Sequence, residues 1–159
     1  MEIYFNGTTM YEAEFRAYQQ ANGGPTWDVT TPEVLEALGA EVVFEGPQAT
    51  GGTVYQYSQR QGVEQIDGKW YTKYILGPVF TDNEEATAAE QEAAYKAQKD
   101  AEQAKSVRDQ RNTKLAECDW TQLVDSTADK TAWATYRQAL RDVTAQPAFP
   151  WTIDWPVAP

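Results

Sequence analysis

The chain has 159 residues with 13 basic and 24 acidic side chains, a formal charge of −11 at pH 7, and no histidine. The absence of histidine excludes imidazole proton transfer, histidine-ligated metal sites and Ser-His or Cys-His nucleophiles. A lone cysteine, Cys118, excludes an intramolecular disulfide and a cysteine-zinc cluster. The acidic balance also argues against a nucleic-acid binder, because phosphates require a basic surface.

The composition is that of a folded protein, since 42% of the residues are hydrophobic and 13% are aromatic. No apolar run approaches the roughly 20 residues that span a bilayer, and the N-terminus lacks the pattern of a secretory signal. We therefore expect a soluble protein, cytoplasmic when made, with no membrane partner. Acidic and basic side chains number 10 and 4 in residues 1–80, 7 and 3 in 81–105, and 7 and 6 in 106–159, so the acidity is concentrated in the first two thirds.

Two short helices are predicted near the N-terminus. Thr9 and Glu12 have the spacing of a capping box, in which each side chain satisfies a free backbone N–H group of the other residue. Thr31 followed by Pro32 is typical of a second helix start, with threonine as the N-cap and proline at the first helical position. Gly39 is expected to end that second helix.

Strand-like patterns follow the second helix. The Asp67-Gly68 pair between the last two patterns predicts a hairpin with a type I′ turn, which requires positive φ at both central residues. The first region is therefore predicted to be a small α+β domain, whose antiparallel sheet has three or four strands and whose core is largely aromatic. The predicted strands are 41–45, 53–57, 63–66 and 69–76.

A long alanine-rich helix is predicted over about residues 83–117, capped by Asp82 with Glu85. Its small apolar side chains recur with about the helical period of 3.6 and are interrupted by Arg111. Two interpretations remain open: the stripe packs on another copy as a coiled-coil-like homo-oligomer, or the helix is a solvated spacer. The stripe consists of Ala86, Ala89, Ala93, Ala97, Ala101, Ala104, Val107, Arg111, Leu115 and Cys118.

A C-terminal helix is expected after a cap at Ser126 or Thr127, and Pro147 is expected to end it. One face of this helix carries large apolar residues at helical spacing and is predicted to be core. These residues are Trp133, Tyr136, Leu140 and Val143.

The chain finishes as an extended segment rich in proline and tryptophan. Trp151 and Trp155 in this tail either fold back as a clasp on Trp120 and Trp133 or form a docking strip for a partner. The clasp is favoured, because two exposed indoles promote aggregation.

The C-terminal region carries a set of aromatic, arginine and aspartate residues in a recognisable order over about 108–156. The order Asp-Trp, Trp-x-x-Tyr-Arg-Gln-x-Leu-Arg-Asp and Trp-Pro resembles the C-terminal domain of bacteriophage tail assembly chaperones, a group that overlaps with tail-fibre assembly proteins. The resemblance implies a scaffold module and a tail-fibre or other tail protein as partner. The residues that carry it are Arg108, Arg111, Asp119, Trp120, Trp133, Tyr136, Arg137, Arg141, Asp142 and Trp155.

Arg111 stands where the long helix is expected to meet the C-terminal module. A guanidinium there needs an anionic partner, and Asp119, Asp125 and Asp142 are the candidates. We therefore expect Arg111, together with Arg108, to tie the helix to the module through a buried or half-buried ion pair. The alternative is a solvated arginine.

The sequence thus predicts three regions: an α+β domain (1–80), a helical connector (81–107) and a chaperone-like helical module (108–159). The expected function is a non-enzymatic tail or tail-fibre assembly chaperone without metal or cofactor, acting in the host cytoplasm. The alternative is a structural virion component of the tail, baseplate or fibre attachment. Partner contact is expected at aromatic residues, mostly of the first domain: Tyr55, Tyr57, Trp70, Tyr74 and Trp151.

Overall fold

The computed structural model describes residues 1–159 and has the predicted α+β class. The chain divides into two compact units, Met1–Val79 and Phe80–Pro159, and the region predicted as a connector belongs to the second unit. No helix is both long enough and apolar enough to cross a membrane. The elements of the first unit are β1 (Glu2–Phe5), β2 (Thr8–Tyr11), α1 (Glu12–Ala21), α2 (Pro32–Ala37), β3 (Glu41–Phe44), β4 (Tyr57–Ile66) and β5 (Lys69–Gly77). Those of the second unit are α3 (Ala88–Glu117), a 3₁₀ turn (Asp119–Gln122), α4 (Lys130–Asp142) and a further 3₁₀ turn (Val143–Ala145).

The first unit has a five-stranded sheet with the order β2-β1-β3-β5-β4. Three neighbouring pairs are antiparallel, as expected, whereas β3 and β5 run parallel, with Val43 opposite Trp70. The parallel pair arises because the β4–β5 hairpin joins the sheet through its second strand. The predicted strand 53–57 is wrong for a local reason: the Gln56 backbone N–H donates to the carbonyl of Thr53 (3.0 Å), which closes a turn just before β4 begins.

The β4–β5 hairpin forms at the predicted turn. Asp67 and Gly68 have φ of 49° and 78°, the left-handed conformations that a type I′ turn requires. The pairing shifts register between Arg60 and Val63, which places a bulge with Gly62 at φ 74° in the edge strand.

The start of α1 differs from the prediction. Thr9 lies in β2, which pairs with β1 across a turn formed by Asn6 and Gly7, so it does not cap a helix. Tyr11 is the N-cap instead, and its backbone N–H donates to Glu14 Oε2 at 2.7 Å.

The second helix begins and ends as predicted. The Thr31 hydroxyl oxygen accepts a hydrogen bond from the Val34 backbone N–H (3.4 Å), Pro32 is the first helical residue, and Gly39 has φ 69° just after the last turn. Together α1 and α2 cover β1, β2 and β3. Beneath them lies a core of fully buried side chains: Ile3, Phe15, Leu35 and Ala40.

In the second unit, α3 is one unbroken helix of 30 residues. Its capping box is formed by Thr87 and Glu90 instead of Asp82 and Glu85: Thr87 N–H donates to Glu90 Oε2 (2.9 Å), and Glu90 N–H donates to the Thr87 hydroxyl oxygen (3.3 Å). Asp82 still assists, because it accepts a hydrogen bond from the backbone N–H of Ala88 at 2.7 Å.

Only the C-terminal half of the alanine stripe is buried. Ala104, Val107 and Cys118 are buried in the interior of the unit. Leu140 and Val143 of the predicted core face of the C-terminal helix are buried there as well. The N-cap of α4 is Asp129 and not Ser126 or Thr127, because its carboxylate accepts hydrogen bonds from two backbone N–H groups of the first turn. The exposed alanines of the stripe are Ala89, Ala93, Ala97 and Ala101.

Candidate functional site

An arginine does tie α3 to the C-terminal module, but it is Arg137 of α4. Its guanidinium forms an ion pair with Asp119 (2.8 Å), donates to the Leu115 carbonyl oxygen at the end of α3 (2.8 Å), and lies 3.0 Å from the Cys118 sulfur. Only 11% of its side chain is exposed. Burial alone would lower the pKa of Arg137, but the hydrogen bonds to Asp119 and Cys118 raise it, so the group stays charged.

The expectation of an ion pair at Arg111 is therefore wrong. Its guanidinium donates to the side-chain oxygen of the adjacent Asn112 (3.0 Å). Arg108 lies over the ring of Phe149 at 5.4 Å, Asp142 accepts from Gln138 within α4, and both Asp125 and Arg141 are exposed.

The C-terminal tail packs along α3. The Trp151 indole N–H donates to Asp100 Oδ1 at 2.6 Å, and the Lys114 ammonium lies 5.5 Å from the ring centre of Trp155. Gln146 holds the tail by exchanging two hydrogen bonds, each 2.8 Å, with the backbone of Asp154. The tail is thus a clasp, but it lies on α3 and not on Trp120 and Trp133 as expected.

Trp120, Trp133 and Tyr136 form a short aromatic ladder beside the Arg137 site. Neighbouring rings meet edge to face, with centres 5.8 and 5.6 Å apart, and burial raises the pKa of Tyr136. Trp120 is the exposed end of the ladder. With two residues that follow it, this indole forms what we call the turn surface: Trp120, Leu123 and Val124.

Sequence reasoning did not single out the turn surface. The sequence does contain an indication of this surface. Leu123 and Val124 lie between a predicted helix end and a predicted N-cap, where no helix or strand is expected to bury apolar side chains.

In the first unit, two predicted partner-binding residues are held by contacts within the sheet. Trp70 stacks on Tyr4 with ring centres 3.7 Å apart, and its indole N–H donates to Glu41. Tyr74 donates its hydroxyl hydrogen to Glu45 Oε1 at 2.6 Å, which raises the pKa of Tyr74. Both side chains are half-buried.

Trp70 and Tyr74 lie on the inside of a curled sheet. On this face Arg60 of β4 forms an ion pair with Glu2 of β1, although these strands are three positions apart and would be about 14 Å apart in a flat sheet. The curl therefore encloses this face and leaves the other face of β4 and β5 turned outward.

That outer face carries a patch of apolar side chains that is divided by the ion pair between Glu64 and Lys73 (3.8 Å). Tyr57, opposite Gly77, is on this face, whereas Tyr55 lies in the preceding turn. Lys69 lies over the ring of Phe44 at 5.8 Å. We call the patch the sheet surface: Phe44, Tyr57, Ile66, Tyr71 and Ile75.

The candidate partner-binding residues do not form one site. Trp70 and Tyr74 lie inside the curl, Tyr57 lies outside it, and Trp151 belongs to the second unit. A groove of about 670 Å³ borders the sheet surface, where the α2 end, the start of β3 and the hairpin tip meet. No group of three or more Cys, Asp or Glu side chains is arranged to hold a metal ion.

Comparison with known families gives a match in the C-terminal region. Residues 104–159 match the family model of the phage tail assembly chaperone protein, which confirms the resemblance predicted for the C-terminal region. The matched residues include the buried half of the α3 stripe, the Arg137 site, the turn surface and the C-terminal tail, whereas Asp100, which accepts the hydrogen bond from Trp151, lies before the match. No curated protein and no solved structure matches the chain significantly. The family match supports a role in phage tail assembly.

Proposed function

We propose that this protein is a non-enzymatic assembly chaperone, which binds a tail-fibre or other tail protein in the host cytoplasm while the virion is built. The family match over residues 104–159 carries the proposal. The compact second unit supports it, because this unit contains the matched residues and forms a scaffold in which Arg137, Trp151 and the aromatic ladder fix the chain around α3.

The sheet surface is the client contact that we propose on the first unit. Phe44, Tyr57 and Ile66 expose large apolar side chains there, on strands whose other face is held by the Glu2–Arg60 ion pair. A rigid apolar face suits an aggregation-prone chain segment, because little order has to be gained on binding. The 10 acidic against 4 basic side chains of residues 1–80 would keep such a complex soluble.

Co-expression with the tail-fibre protein of the same phage tests the binding role. We expect a soluble complex by size-exclusion chromatography with light scattering, and Phe44→Ser with Ile66→Ser should weaken it. Val54→Ser is the matched control, because Val54 is also exposed in the first unit but lies outside the sheet surface. If the wild-type chain forms no complex with tail-fibre or other tail proteins, the proposed function is wrong.

The non-enzymatic part of the proposal needs its own experiment. It is supported by the lack of histidine and of any carboxylate pair singled out by its spacing. Intact mass spectrometry of the client before and after incubation should give the same mass. A cleaved or modified client would contradict this part alone.

The alternative, a structural virion component, is favoured by one observation. Ala89, Ala93, Ala97 and Ala101 leave a stripe of small side chains exposed on α3, and small residues permit a second helix to approach closely. Mass spectrometry of purified particles separates the two roles. A transient chaperone should be absent, whereas a stoichiometric copy number would favour the structural role and a homo-oligomer through α3.

A further inference from the structure

The turn surface exposes three apolar side chains within five consecutive residues. Trp120 is 53% exposed, Leu123 57% and Val124 98%. Isolated exposed apolar residues are ordinary, but a cluster that includes tryptophan is typical of an interaction site.

The backbone beneath this surface is fixed. Thr121 is fully buried, and its hydroxyl donates to the Cys118 carbonyl oxygen at 2.7 Å. Lys130 donates to the Leu123 carbonyl oxygen at 2.7 Å, and the Trp120 ring packs edge to face on Trp133. The apolar side chains are therefore displayed by an ordered turn, which reduces the entropy lost on binding.

The charge around the turn is mainly negative. Residues 117–130 contain four acidic side chains and one basic side chain, Lys130. Asp119 is paired with Arg137, and Asp129 caps α4, which leaves Glu117 and Asp125 as exposed carboxylates at the rim. Lys130 is the neighbouring cation, and its ammonium is directed at a backbone carbonyl.

We propose that the turn surface binds a basic segment of the tail protein that carries an apolar side chain. The apolar side chain would pack on Trp120 and Val124, and its flanking lysine or arginine residues would face Glu117 and Asp125. This inference rests on the proposed function and names the chemistry of the partner. It adds a contact on the second unit to the sheet surface of the first.

The apolar half of the proposal is tested with the full-length chain and the tail protein with which the wild-type chain forms a complex. Leu123→Ser with Val124→Ser should raise the Kd by about tenfold or more in isothermal titration calorimetry, as truncation of a central contact does. Val157→Ser is the matched control, because Val157 is 90% exposed in the same unit but lies in the tail. It should leave the Kd unchanged.

The electrostatic half of the proposal is tested with two charge-reversal variants that change the total charge of the protein by the same amount. Glu117→Lys with Asp125→Lys should weaken binding and flatten the rise of Kd with salt. Glu84→Lys with Glu85→Lys makes the same change in total charge at two exposed residues before α3 and should leave binding largely unchanged. Circular dichroism of each variant checks that the fold is retained.

The outcomes separate the two hypotheses. If the wild-type chain binds a tail protein and both the serine pair and the lysine pair at the turn behave like their controls, the turn surface is not the contact, and the proposed function stands. If the wild-type chain binds no tail protein, both are wrong. Weakened binding by the serine pair alone would overturn the basic character of the segment.

Discussion

Arg137 joins three parts of the second unit through one guanidinium. It reaches the end of α3 at Leu115, the following 3₁₀ turn at Asp119 and the thiol of Cys118. A planar fork with several donors suits this position, whereas a lysine ammonium could not point at all three acceptors in the same way.

Removal of this side chain should be costly. We expect Arg137→Ala to lower the free energy of unfolding by about 2 kcal/mol, because the Leu115 carbonyl loses the guanidinium donor and the ion pair with Asp119 disappears. Urea unfolding followed by circular dichroism measures the loss.

Arg111→Ala is the matched control for this prediction. Its guanidinium bonds only the neighbouring Asn112 side chain, so the expected change is below about 0.5 kcal/mol. Equal losses for the two variants would contradict the assignment of the structural tie to Arg137.

A second prediction concerns the tail clasp. Trp151→Phe keeps an aromatic ring but removes the indole N–H that donates to Asp100 at 2.6 Å, so we expect the free energy of unfolding to fall by about 1.5–3 kcal/mol, typical of a hydrogen bond to a charged group. Thermal unfolding by circular dichroism measures it. Trp155→Phe should cost much less, because Lys114 contacts the ring face, which phenylalanine retains. Similar losses would mean that the indole hydrogen bond does not hold the tail.

The sequence predicts that an arginine ties α3 to the C-terminal module, but it does not determine which arginine. Arg111 and Arg137 both lie at helical positions near the predicted junction, and the partner of each depends on where the loop after α3 places Asp119. That placement follows from the buried Thr121 and the 3₁₀ turn, which have no short-range signature as strong as a helical repeat. The core residues Leu140 and Val143 were predictable because their spacing alone fixes the buried face.

At the scale of elements, turns were predicted where backbone conformation requires a particular residue. Asp67-Gly68 and the Thr31-Pro32 helix start are of this kind. The capping-box pattern predicted helix starts less well, because a Thr and a Glu three residues apart also occur together by chance. Thr9 with Glu12 fits the pattern, but pairing of β2 with β1 outweighs the local preference.

Gly46 is required by the packing of two strands, and no sequence pattern indicates this requirement. It directly follows the predicted strand 41–45, and a Cβ at this position would lie 2.0 Å from the carbonyl oxygen of Thr72 in β5. The close approach of backbone to backbone beside the parallel β3–β5 pair therefore needs glycine, for steric reasons and not for its φ.

Gly46→Ala should therefore destabilise the first unit by about 3 kcal/mol or more, since relief of the clash requires a shift of the backbone. Gly68→Ala is the control: its φ is 78° but nothing lies within 4 Å of the added Cβ, so only the strain of about 1 kcal/mol is expected. Urea unfolding with a probe in the first unit compares the two. A smaller loss for Gly46→Ala than for Gly68→Ala would contradict the steric argument.

At the scale of the whole molecule, the division into two units bears on the family match and not on the charge. The match of residues 104–159 lies wholly in the second unit, whereas the net charge is −6 in the first unit and −5 in the second. The α+β class and the C-terminal family could be predicted, because helical periods and an ordered motif are local signals. The strand order could not, because it depends on which strand of the β4–β5 hairpin meets β3.

The second unit should fold without the first. Val107, Leu140 and Val143 are buried within it, and the Arg137 site and the tail clasp join residues of the same unit. A fragment of residues 80–159 is therefore expected to be helical and to unfold cooperatively in urea, with a stability of a few kcal/mol for so small a core. Arg137→Ala in the fragment should cause the same loss of about 2 kcal/mol as in the full chain, because every contact removed is internal to it. A fragment without a cooperative transition, or one insensitive to Arg137→Ala, would show that the interior of this unit depends on residues before Phe80.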